Sequence, residues 1–112
     1  MSTTFPVMFD PTALTTASQT LYTVPEGANV LRNLHIKVAN YTATARWVTV
    51  WNVVSGGTAA DANTSVKQYV VPINDYVLIP VCRLEAGGFI DAAAEADTAL
   101  VASQHGGDLF TP

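Results

Sequence analysis

The sequence predicts an all-β, single-domain β-sandwich, jelly-roll-like, with extended N- and C-terminal arms. Three observations carry this. Residues 13–54 are rich in Thr, Val, Leu, Tyr and Trp, about half of the stretch, with turn formers between the apolar runs; side chains that are branched at Cβ or carry flat rings fit a half-buried pleated surface. Apolar and polar residues alternate with a period of two along successive segments. Seven or eight such segments recur at spacings of roughly 8 to 14 residues with no convincing helix between them, the pattern of a sandwich or jelly roll. The 112 residues make one domain, and a chain of that size buries roughly two-thirds of its unfolded surface.

Residues 1–12 combine Phe5, Val7, Met8 and Phe9 with Pro6 and Pro11. Proline removes a backbone donor and blocks a helix, so this is expected to be an extended arm, laid on a neighbouring subunit or frayed as an edge strand. The sandwich proper is expected over 13–104. Residues 19–24 alternate and stop at Pro25-Glu26-Gly27, a tight turn. Residues 29–39 place Leu34, Ile36 and Val38 on a core face, with Asn33, His35 and Lys37 opposite. Residues 44–54 carry Val48 and Val50 on one face and Trp47, Thr49, Trp51 and Val53 on the other; both are apolar, so this strand is central or lies under a partner.

The small, Gly-rich stretch 55–63 reads as an exposed loop. Residues 64–71, 75–82, 89–95 and 98–104 supply four more strands. The alanines of 92–96 favour a helix by propensity, but the alternation around them favours a strand. Pro25-Glu26-Gly27 and Glu85-Ala86-Gly87 echo one another as corners, which suits a doubled Greek key. Residues 105–112, with Leu109 and Phe110 after two glycines, read as a mobile apolar tail.

Charge narrows the function classes. Asp, Glu, Lys and Arg make up 12% of the chain, against about 25% in an ordinary domain. A Thr- and Ala-rich surface is desolvated at little cost, and interface centres are depleted in charge, so much of this surface is expected to be covered by other subunits. A net charge of −4, with Arg32, Lys37, Arg46, Lys67 and Arg83 dispersed, argues against nucleic acid, which needs a clustered basic patch. The single cysteine, Cys82, forms no internal disulfide. No signal peptide is legible, nor any apolar run of about 18 residues that would span a membrane.

No grouping of acids, bases, nucleophiles or ligands has the spacing of an active site, so the chain reads as noncatalytic and without a cofactor. His35 and His105 lie far apart in sequence with no further ligand at metal spacing. Asp91, Glu95 and Asp97 would suit calcium in a loop but read better as a solvated face. The nine acids offer no pair flanking a cleft, as glycoside hydrolysis requires. Cys82 follows an apolar run and reads as core, with no histidine identifiable as its base. The Gly56-Gly57 and Gly106-Gly107 pairs lack the surroundings of a phosphate loop and read as hinges. Trp47 and Trp51, with Tyr22, Tyr41, Tyr69 and Tyr76, would make a sugar-stacking platform, though core or interface packing explains them better. The interface candidates are Phe5, Val7, Phe9, Trp47, Trp51, Leu109 and Phe110.

Leu14 to Ser18, Leu21-Tyr22-Thr23-Val24-Pro25-Glu26-Gly27, Val30 to Ile36, Ala39-Asn40-Tyr41-Thr42, Val48-Thr49-Val50-Trp51 and Leu84-Glu85-Ala86-Gly87 together resemble a pattern common in small virion proteins of tailed bacteriophages. By size the nearest resemblance is to capsid cement or decoration proteins. It implies a noncatalytic protein, made in the host cytoplasm, that binds the outer capsid surface as a homodimer or homotrimer and fastens neighbouring copies of the major capsid protein. Similar modules occur in tails, fibres and baseplates, and a carbohydrate- or receptor-binding sandwich is a further alternative.

Overall fold

Two antiparallel sheets carry most of the backbone in the computed structural model, which describes residues 2–27, 30–81 and 83–111. The strands are β1 (Ser2–Thr4), β2 (Thr12–Ala13), β3 (Gln19–Thr23), β4 (Val30–Asn40), β5 (Arg46–Val53), β6 (Thr64–Val71), β7 (Asp75–Pro80), β8 (Leu84–Glu85), β9 (Phe89–Ala94) and β10 (Leu100–Thr111), with one 3-10 turn at Asp61–Asn63. Sheet one runs β1-β10-β4-β7, with β2 also paired to β10 and β8 to β4; sheet two runs β3-β9-β5-β6. The chain crosses between sheets at six of the nine connections between these strands, and this order is that of a jelly roll. The all-β sandwich expected from the alternation is therefore the fold.

Alternation explains the core. Leu34, Ile36 and Val38 of β4 face Val48 and Val50 of β5, and Ile90, Ala92 and Ala94 of β9 join them in one buried cluster. Each fully buried Leu, Ile or Val contributes about 1.5–3 kcal/mol. In β3 a bulge between Thr20 and Tyr22 breaks the alternation, so that Leu21 is buried and Tyr22 also packs against the cluster. Burial pushes the Tyr22 phenol above its ordinary pKa.

The expected tail is a strand. Residues 105–111 continue β10, paired to β4 as far as Phe110↔Val30. Its continuity is disguised because both strands change phase together: Asn33 has φ 59°, and Gly106 and Gly107 have φ 75° and 109°. These left-handed residues suit glycine and asparagine. On one side of the break Leu34, Ile36 and Ala102 point inward; on the other, Leu31 and Leu109 do so at the opposite parity. A Cβ on Gly107 would lie 3.0 Å from Met8 Cε and 3.1 Å from Leu34 Cδ1, so the glycine also admits close packing.

The N-terminal arm is likewise tied down. Its first residues pair with the chain's end, Ser2↔Thr111 to Thr4↔Leu109. Between β1 and β2 the chain leaves the ladder, and Gln104 bridges the gap: its Oε1 accepts from Met8 N at 2.7 Å and its Nε2 donates to Pro6 O at 2.9 Å. Met8 and Phe9 pack on the core.

Two corners complete the body. Asn40, 2% exposed, donates from Nδ2 to Thr44 O and Val71 O, and its Oδ1 accepts from Thr42 N and Thr42 Oγ1. At the other end the two echoing corners lie side by side, with Val24 N donating to Gly88 O and Gly87 N to Val24 O.

Candidate functional site

The surface, rather than an internal cleft, holds the features that call for a partner. Phe5 and Val7 are 77% and 82% exposed, held out from a segment whose neighbours Met8 and Phe9 turn inward. Tyr69, Val70, Ile73, Tyr76 and Leu78 are also exposed. They line the side of the sandwich where β6 and β7, edge strands of the two sheets, run next to one another and are tied by Ser65 Oγ donating to Pro80 O. Scattered exposed apolar residues are ordinary, whereas several along one side make a candidate contact surface. None of the five was among the interface candidates read from the sequence, where Tyr69 and Tyr76 entered only as part of a sugar-stacking platform, although the apolar runs of 64–71 and 75–82 carried the signal.

The remaining candidates divide. Leu109 and Phe9 pack against the core, and Phe110 is half-buried with the Arg32 guanidinium 5.1 Å from its ring centroid. These three serve the fold of their own chain first. Trp47 and Trp51 lie half-buried on the outer face of sheet two, opposite in phase to the buried Val48 and Val50. Small residues, Thr49 and Ala93, face each other between them.

The edge of sheet two is blunted. Gln68 has φ 51° and donates its amide to Thr49 Oγ1 at 3.0 Å, with register shifts on the β5–β6 ladder. A bulged edge resists adding a further strand.

The acidic trio does not converge, and its first member is no solvated face. Asp91 is only 8% exposed and accepts from Thr20 Oγ1 at 2.7 Å. Glu95 accepts from Trp47 N at 3.3 Å and Asp97 from Thr16 N at 2.9 Å. Each carboxylate closes a different backbone or strand contact, and among the described residues no group of three or more His, Cys, Asp or Glu is placed to hold a metal. Cys82 lies outside the described residues. The cations are held separately as well: Lys37 lies over Tyr76, Lys67 pairs with Asp61, and Arg83 pairs with Glu85. Exposed pairs of this kind contribute at most about 1 kcal/mol each.

An open hollow of about 440 Å³ is lined by Val54, Ser55, Arg83, Leu84, Glu85 and Ala86. Its charged groups, Arg83 and Glu85, pair with one another at 3.2 Å. Comparison of the chain with protein-family models, curated proteins and solved structures finds no match. The strand order alone sets the class, a jelly-roll β-sandwich.

Proposed function

We propose that this protein is a noncatalytic structural component of a virion, a cement or decoration protein that binds the exterior of a tailed-phage capsid and fastens neighbouring major capsid subunits. The observation that carries the reading is the exposed apolar side along β6 and β7, together with Phe5 and Val7, on a body with half the usual charge. Such a surface is covered cheaply by protein. A rigid sandwich that binds only the assembled shell stabilises that shell by its own binding free energy, and self-association as a dimer or trimer multiplies the contacts.

Cryo-electron microscopy of virions of the encoding phage tests this directly. Density for the sandwich at lattice-wide copy number on the shell is the expected result. Density confined to the tail favours a tail, fibre or baseplate module instead, and its absence from the particle overturns both. Deleting residues 1–10 is a poor probe, because Met8 and Phe9 pack on the core. Phe5→Asp with Val7→Asp is the cleaner one: cosedimentation with purified shells should fall while the fold is kept. A glycan-binding reading draws on Trp47 and Trp51 on the outer face, and saturable glycan-array binding lost in Trp51→Ala would favour it.

A further inference from the structure

The fold brings together two residues that the sequence keeps apart. His35 of β4 and His105 of β10 are direct cross-strand partners on the outer face of sheet one, with ring centroids 6.2 Å apart and planes at 89°. We propose that this pair is a two-ligand site for a borderline transition cation, Cu²⁺, Zn²⁺ or Ni²⁺. The inference is independent of the capsid reading.

Geometry supports it. Directly opposed residues in an antiparallel pair have Cβ atoms about 4.5–5.5 Å apart, close enough for both rings to reach one ion. With metal–nitrogen bonds of about 2.0–2.1 Å, two imidazoles on one ion have centroids about 5.2 Å apart at a tetrahedral angle and about 6.4 Å apart when opposed. The observed 6.2 Å falls inside that range. His35 is half-buried, whereas His105 is exposed, with room to adjust its rotamer around an ion.

The neighbouring cations are both turned away from the pair. Lys37 is next to His35 on the same face, but its ammonium sits 4.7 Å from the Tyr76 ring centroid. Tyr76 pairs with Ala39, one row further from the histidines, so the charge leans away from the site. On the far side Asp108, whose Oδ2 accepts from Asn33 Nδ2 at 2.7 Å, is the cross-strand partner of Arg32, whose guanidinium lies over the Phe110 ring, 5.1 Å from its centroid and one row further from the histidines. The remaining coordination positions face solvent and would be filled by water. Imidazole selects these metals over Mg²⁺ and Ca²⁺, and affinity among divalent ions peaks at Cu²⁺.

The test uses the full-length protein without a polyhistidine tag. Zn²⁺ is titrated while the imidazole resonances are followed by NMR, and calorimetry compares Cu²⁺, Ni²⁺, Zn²⁺, Mg²⁺ and Ca²⁺. Both His35 and His105 resonances should move together with Zn²⁺, Cu²⁺ should bind tightest, and Mg²⁺ and Ca²⁺ should leave the spectrum unchanged. Loss of an outer-shell partner alone costs a metal site about 10–100-fold, so His105→Ala, which removes a ligand from an exposed position, should weaken binding by at least that. His35→Ala should do the same, and because His105 is exposed the test stands even if the half-buried variant folds poorly. Unmoved imidazole resonances, or an affinity unchanged in His105→Ala, would overturn the proposal.

Discussion

Replacing Asn40 by alanine tests the corner that joins the two sheets. Its amide nitrogen donates to Thr44 O at 2.9 Å and Val71 O at 3.1 Å, and its oxygen accepts from Thr42 N at 2.9 Å and Thr42 Oγ1 at 2.7 Å. Thr42 is half-buried and Thr44 exposed, so water replaces most of their bonds; Val71 is fully buried and its carbonyl is left without this donor. Stranding a buried acceptor costs about 1–3 kcal/mol, and each replaced bond about 0.5 kcal/mol more. With one stranded acceptor and three replaced bonds, the expected loss is about 2.5–4.5 kcal/mol. At about 4 °C per kcal/mol for a domain of this size, Tm should fall by roughly 10–18 °C. Urea denaturation with an unchanged m-value, alongside a thermal scan, measures it. Asn40→Asp keeps the acceptor but loses both donations and buries a carboxylate, so it should be no better than alanine. Thr44→Ala, which leaves the accepting carbonyl in place, should stay within about 0.5 kcal/mol of the parent. A loss below about 1 kcal/mol in Asn40→Ala would refute the claim that this side chain holds the corner.

Three further expectations follow from the same geometry. Gly107→Ala must adopt φ 109° and meet Met8 and Leu34, so it should cost at least about 2 kcal/mol by denaturation. Gly56→Ala, at φ 79° with open space around it, should cost about 1 kcal/mol, and equal costs at the two sites would contradict the packing argument. Gln104→Ala removes the clamp on residues 6–8 and should cost about 1–2 kcal/mol; faster hydrogen exchange at the Met8 amide checks it, and unchanged protection there would rule the clamp out. Tyr22 should make stability pH-dependent at alkaline pH. Its phenol is raised above 10.0 by burial, so the folded state keeps a proton that the unfolded chain releases. That stabilisation is complete below pH 10.0 and is lost as pH climbs through the raised value. Tyr22→Phe should remove this part of the slope in urea midpoints measured from about pH 8 to 11.

Much of the fold was legible because its causes are local. Leu34, Ile36 and Val38 alternate with Asn33, His35 and Lys37, and the strand they predict is β4 with those apolar residues buried. Thr64 to Val71 is a strand with the bounds its composition suggests. The alanines of β9 pack between larger neighbours, so the sheet overrides their helical propensity. The candidate surface was less legible. Phe5 and Val7 are exposed, whereas Leu109 and Phe110 belong to a strand whose phase break at Gly106 and Gly107 looks, in one dimension, like the end of the domain.

The sequence by itself determined that this chain is an all-β sandwich poor in ionic groups, since side-chain period, turn chemistry and composition are properties of neighbouring residues. Only the tertiary structure decided that β1 closes on the last residues of β10, that Asp91 is buried against Thr20, and that His35 stands opposite His105. Strand pairing and register arise from contacts between distant segments burying a shared core, and no local pattern records which distant segment that will be.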